Sequence, residues 1–128
     1  MSESPQVATV RRFYDAKGDL EVIRSLVAPD AQWDVVEGFP RGGVYDGLDS
    51  IIGDFFGFFA DFAEFHATAD EFYEDRDHVI TLGRYTGVTH NGNALTSRFA
   101  HFFTLRDGKI IRLRQTSDTV PIDRALRT

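Results

Sequence analysis

Three polar side chains near the C-terminus carry most of the chemistry that this sequence offers. In FAHFFTLRDGKIIRLRQTSD, residues 99–118, His101 sits between Phe99 and Phe103, and two strand-like runs meet at Asp107-Gly108. An imidazole in an apolar setting can donate a hydrogen bond to a developing oxyanion or move a proton. Gln115 can position a carbonyl or a water but cannot act as a base, whereas Asp118 has a base's chemistry at the strand end. His101 and Asp118 are therefore the catalytic candidates, with Gln115 as a binder of substrate oxygen. In purely structural roles the same residues would be a hydrogen-bonded core histidine, an interior sheet contact, and a cap or partner of Arg114.

Which of them share a face depends on the hairpin turn, because side chains alternate along a strand. A two-residue turn at Asp107-Gly108 pairs Arg106 with Lys109 and sets His101 opposite Arg114. A three-residue loop, Arg106-Asp107-Gly108, with Gly108 as a bulge, sets His101 opposite Leu113 and beside Gln115, on a face with Phe99, Phe103 and Ile111. The second register is favoured, since a mostly apolar surface with two polar groups is what a ligand pocket presents. It leaves Arg112, Arg114 and Asp118 on the other face or at the rim, with Asp118 turning inward only through a bulge after Gln115.

These residues need elements to hold them. Val7, Val10, Phe13 and Tyr14 recur at helical spacing over residues 5–17, with Ser4 as N-cap, Pro5 in the first turn and Gly18 as the stop. A second helix, capped by Asp19, buries Leu20, Ile23, Leu26 and Val27 and ends at Pro29. Residues 31–36 read as a strand and EGFPRGGVYDG, 37–47, as a loop. Residues 49–62 predict a third helix with Ile51, Ile52, Phe55, Phe58, Phe59 and Phe62 on one stripe. Four β-type runs follow, at 65–73, 79–88, 94–105 and 109–116, the last three joined by HNGN and RDG turns. The order α-α-β-α-β-β-β-β predicts an α+β domain, three N-terminal helices packed on one face of a strongly curved, mainly antiparallel sheet. Both faces of the last strands carry apolar or long-stemmed residues, so the outer face is expected to meet a second copy in a homodimer.

Further candidates line the expected cone. Tyr14 offers a hydroxyl from the first helix; Trp33 and Tyr45 offer a wall and a polar tip at its mouth, where Gly42 and Gly43 would let the loop move. Phe55 and Phe59 offer part of an aromatic wall, with Phe103 and Leu113 on the sheet, and Arg84 offers a partner for an anionic group or for a loop acid such as Glu37. Each also has an ordinary role as core or surface. His66, His78 and His90 are scattered without metal-ligand spacing, and no metal is expected. Asp70, Glu71, Glu74, Asp75 and Asp77 read as a solvated edge, and no phosphate-binding glycine motif suggests a nucleotide cofactor.

Length and composition bound the rest. A chain of 128 residues makes one domain able to bury about two-thirds of its unfolded surface. Twelve Phe and one Trp supply rings for core and pocket alike. The net charge of −6, from 14 Lys+Arg against 20 Asp+Glu, opposes phosphate backbones and anionic membranes, so no nucleic-acid or membrane partner is expected. There is no cysteine, hence neither disulfide nor thiolate chemistry. MSESPQVATV lacks signal-peptide character and no apolar run reaches membrane-spanning length, so a cytoplasmic location is expected.

The segments RRFYDAKGDLEVIRSLVAPDAQWDV, PRGGVYDG, DHVITLGRYTGV and FAHFFTLRDGKIIRLRQTSD together resemble the SnoaL-like branch of the nuclear transport factor 2-like superfamily, over nearly the whole chain. The resemblance implies a cone-shaped roll that opens between helices and sheet. It places His101 about where ketosteroid isomerases keep a protonated aspartate. Their general base would fall near Val35, which cannot take a proton. GRYT and LRQTSD resemble the catalytic segments of limonene epoxide hydrolases: Arg84 matches, but Thr86 and Gln115 stand where the aspartates would be. Gln115 likewise replaces the aspartate of polyketide cyclases. The expected function is therefore binding of an apolar, carbonyl-bearing small molecule, with cofactor-independent isomerase, cyclase or hydratase chemistry on His101. A non-catalytic binding protein and a dimerisation module are the alternatives.

Overall fold

A computed structural model describes residues 3–127. Helix α1, Pro5–Asp15, begins where Ser4 Oγ accepts the amide of Val7, and α2, Leu20–Leu26, where the Asp19 carboxylate accepts those of Glu21 and Val22. Both caps stand where the sequence places them. Six strands follow: β1 Val27–Val35, β2 Gly43–Asp46, β3 Phe62–Asp75, β4 His78–Thr89, β5 Ala94–Arg106 and β6 Lys109–Ser117. They form one sheet in the order β2-β1-β6-β5-β4-β3, antiparallel except where β1 lies parallel to β6. The α+β roll with most of its helices N-terminal is thus as expected.

Several details depart from the sequence reading. Strand β1 starts at Val27, so Pro29 lies inside a strand rather than closing the helix region; the pairing with β6 breaks between Val27 and Gln32, where a residue without an N–H is tolerated. The expected loop at 37–47 contains β2, which pairs Tyr45 with Trp33. A fourth helix, α4, Val120–Arg127, follows the last strand and buries Ile122 and Ala125.

The third helix is also irregular. It begins as α3, Leu48–Ser50, widens to a π-helical turn at Ile51–Phe55 and tightens to 3-10 geometry at Phe56–Asp61. Gly53 and Gly57 weaken regular helix here. Arg41 adds a specific cause: its guanidinium lies where a Cβ on Gly57 would be and donates at 3.0 Å to the carbonyl of Asp54, which a regular α-helix would offer to Phe58.

The β5–β6 hairpin follows neither forecast in full. Asp107 and Gly108 have φ of 52° and 79°, a two-residue turn that pairs Arg106 with Lys109. A bulge then shifts the ladder between Thr104 and Leu105, and beyond it His101 faces Gln115. The favoured three-residue loop is absent, but the bulge restores His101 and Gln115 to one face. Its cause is the spacing of apolar residues: Ile110 and Leu113, three apart, are both buried, which strict alternation forbids. Ile111 is the extra residue.

Candidate functional site

Between α1, the irregular helix and the inner face of the sheet lies a cavity of about 470 Å³. Strand alternation supplies its floor. Phe99, His101, Phe103 and Leu105 of β5 are all buried on the inner face, as are Leu113 and Gln115 of β6 and Thr81 and Tyr85 of β4, and of these Tyr85, His101, Leu113 and Gln115 line the cavity. Its walls are aromatic: Phe13 and Tyr14 from α1, Trp33 from β1, Phe39 from the loop, and Phe55, Phe56, Phe58 and Phe59 from the helix opposite. Lys17, His66 and Phe59 are exposed members of the lining and mark its mouth.

The polar groups at the floor form one continuous row. Thr81 Oγ1 lies 2.6 Å from the Tyr14 hydroxyl, which lies 2.6 Å from His101 Nδ1. His101 Nε2 lies 2.6 Å from the Tyr85 hydroxyl, and Gln115 Nε2 donates to that same hydroxyl at 3.0 Å. The amide orientation of Gln115 follows from its surroundings. Its Oε1 accepts the Val36 amide at 3.2 Å, shared with the backbone carbonyl of Gln115, so Nε2 is left to donate to Tyr85 and to Ser117 Oγ. Phe99 stacks on the imidazole at 3.9 Å between centroids and 13° between planes.

This row is uncharged at neutral pH. Burial lowers the His101 pKa to about 3, so the ring is a neutral imidazole with one donor and one acceptor nitrogen. Burial likewise raises Tyr14 and Tyr85 above the ordinary phenol value. A neutral His101 between two phenols has two satisfied arrangements. With the proton on Nδ1 it donates to Tyr14 and accepts from Tyr85; with the proton on Nε2 it donates to Tyr85, whose own proton is then free to enter the cavity. Gln115 supports Tyr85 as acceptor in both.

Of the residues singled out from sequence, His101, Tyr14, Trp33, Phe55, Phe59, Leu113 and Gln115 line the cavity. Phe103 is fully buried behind it, with its edge toward His101 at 6.0 Å. Tyr45 backs the wall, its ring 5.3 Å from Phe55 and its hydroxyl donating to the Arg41 carbonyl. Arg84 is on the outer face, where alternation opposite Tyr85 must send it, and holds Asp70 at 2.6 Å rather than Glu37. Asp118 is exposed beyond the end of β6; its Oδ1 accepts the Val120 amide at 3.3 Å at the start of α4, and it does not reach the cavity. Arg114 lies over Phe102 at 5.8 Å rather than bracing Asp118.

Sequence reasoning missed Tyr85, Phe39 and Phe65. Tyr85 lies on the alternating set Val79, Thr81, Gly83, Tyr85, but Ile80, Leu82 and Val88 make the opposite set equally apolar, so parity alone does not select it. Gly83 permits the arrangement: a Cβ there would come within 2.6 Å of the Phe99 ring and 2.0 Å of the Thr68 carbonyl. Phe39 sits in a glycine-rich loop with no periodicity to reveal it. Among the described residues no cluster of His, Asp or Glu is gathered for a metal ion, and no helix is long and apolar enough to cross a membrane.

With this geometry in view, relatives are informative. The fold matches an NTF2-like protein of unknown function from Burkholderia pseudomallei K96243 at TM-score 0.90 and 27% identity, covering 98% of this chain and 100% of that one. It matches TerC, crystallised with polyporic acid, at TM-score 0.89 and 27% identity, again over 98% and 100%. A putative SnoaL-like polyketide cyclase from Jannaschia sp. CCS1, at TM-score 0.82 and 22% identity over 98% and 96%, shares the fold. No curated protein matches the chain in sequence. The family model described as a SnoaL-like domain matches residues 10–113, and the chain belongs to that family.

Proposed function

We propose that this protein binds an apolar, ring-containing small molecule with a carbonyl or hydroxyl oxygen at Tyr85, and that its chemistry is polarisation of that oxygen in a cofactor-independent isomerase, cyclase or hydratase reaction. The observation that carries this reading is the row of neutral hydrogen bonds that runs along the floor of an aromatic cavity through Tyr85. Held by Gln115 and by the Nε2–H tautomer of His101, the Tyr85 hydroxyl accepts twice and donates its proton to the ligand. A preorganised donor in a dry site is strongest where negative charge develops. His101 then acts through Tyr85, as a positioning residue that sets the direction of the row. TerC, crystallised with polyporic acid, adds support for a small molecule in this fold.

None of the lining residues is Asp or Glu. The reaction that suits such a site is one whose substrate is itself acidic, such as ring closure of an enolisable carbonyl compound. The same observation favours a second reading, binding without turnover. The outer face, with Leu82 and Phe102, supports a second copy packed there, which sedimentation of the purified protein tests.

The decisive comparison is tetralone against tetralin, which differ by one carbonyl oxygen. Wild type is expected to favour tetralone, and Tyr85→Phe to remove the preference while keeping tetralin affinity. Equal binding of both by wild type ends the Tyr85 reading, and failure to bind either ends the cavity reading.

A further inference from the structure

The basic mouth of the cavity points to the class of ligand. The chain holds 20 Asp+Glu against 14 Lys+Arg, yet apart from the tyrosines and the neutral, buried His101 the ionisable lining residues are Lys17 and His66, with no carboxylate among them. Lys17 and His66 are exposed at the mouth. They differ in what they already hold. His66 Nε2 lies 3.4 Å from Glu64 Oε1. Lys17 makes no side-chain hydrogen bond or ion pair among the described residues; Arg12, Arg76, Arg98, Arg106 and Arg114 also meet no carboxylate, but of these basic residues Lys17 lines the cavity and the arginines do not. The nearest carboxylates in sequence leave it so: Asp19 is engaged in capping α2, and Asp15 forms no bond to the ammonium.

Its position is structural in origin. Lys17 follows the end of α1 with φ of 50°, its amide bonded to the Tyr14 carbonyl at 3.2 Å, and Gly18 continues the reversal at φ 84°. That turn leaves both residues on the cavity lining, Lys17 exposed at the mouth and the Tyr14 hydroxyl in the row at the floor. A lysine at a helix C-terminus also complements the helix dipole, but it does so equally well when directed away from a cavity.

We infer that the ligand is an apolar ring-bearing organic anion, a carboxylate, sulfonate or acidic enol, whose charged group meets Lys17 while its rings fill the phenylalanine-lined cavity. This deepens the proposed function and rests on its cavity. An ammonium without a resident carboxylate needs no internal ion pair to be broken when such a ligand arrives, and the absence of acidic lining removes the repulsion that the chain's net charge would otherwise impose.

Two fluorescent probes separate the claims, the anion anilinonaphthalene sulfonate and its neutral counterpart N-phenylnaphthylamine. Lys17→Met is expected to weaken the sulfonate by about fivefold, the scale of a partly exposed ion pair, and to change N-phenylnaphthylamine by less than about twofold. The wild-type preference for the sulfonate should shrink as salt is added. Lys17→Gly relaxes the left-handed backbone, so its unfolding temperature should equal or exceed wild type while sulfonate binding still falls, which excludes unfolding as the cause. Unchanged sulfonate affinity in Lys17→Met, with the neutral probe bound, overturns the inference and leaves the cavity reading standing. If wild type binds neither probe, the cavity reading falls and the inference with it.

Discussion

His101 and Gln115 stand directly opposite each other on β5 and β6, yet they do not bond to one another. Both meet the hydroxyl of Tyr85, 2.6 Å from His101 Nε2 and 3.0 Å from Gln115 Nε2. Tyr85 pairs across the ladder with Ser97, so its side chain reaches along the sheet past Gly83 and Phe99 to arrive there. The three residues form one unit, and changes to any of them should be read together.

Tyr85→Phe deletes the shared oxygen and leaves His101 Nε2 without its partner, while Gln115 retains Ser117. Loss of a buried hydrogen-bond partner should lower stability by about 1–3 kcal/mol. Urea unfolding measures this, and an unchanged midpoint would show that water replaces the hydroxyl at no cost.

The pH dependence of stability carries the signature of His101. Its folded pKa, lowered by burial to about 3, lies below the roughly 6.5 of the unfolded chain. Above about pH 6.5 neither state binds this proton and the residue contributes no slope. Between about 6.5 and 3 the unfolded chain alone binds it, so stability falls as pH falls, by up to about 1.4 kcal/mol per unit. Nitrogen-15 spectra of the imidazole at about pH 5 should still show a neutral ring; a protonated ring there contradicts the assignment.

Gly83→Ala places a Cβ 2.0 Å from the Thr68 carbonyl and 2.6 Å from the Phe99 ring. Backbone on one side and a stacked ring on the other leave little room to relax, so a loss of about 3 kcal/mol is expected. Thermal unfolding reads it, and near wild-type stability would mean that β3 can shift.

Arg84→Ala and Asp118→Ala act away from the cavity. The first removes a half-exposed ion pair to Asp70 and the second a long cap contact to Val120, each worth about 1 kcal/mol or less. Tetralone affinity should stay within about twofold in both, and a larger change for Asp118→Ala would restore that residue to the site.

Much of this molecule was legible from local rules. Ser4 and Asp19 cap where their side chains can reach the next turn's amides, and both helices follow. The alternation of Phe99, His101, Phe103 and Leu105 placed His101 inside, because β5 carries no bulge of its own in that stretch. The phenylalanines signalled an aromatic interior. Those features depend on a few consecutive residues, whose φ angles, caps and spacing the sequence determines. Tertiary structure alone decided the rest. Burying both Ile110 and Leu113 forces a bulge at Ile111, and only that bulge sets Gln115 across from His101. Tyr85 joins them because Gly83 lets Phe99 lie flat, and Asp118 leaves because β6 ends before it and α4 needs a cap. Each of these outcomes balances burial on one strand against geometry on another, so no single segment contains the information that settles it.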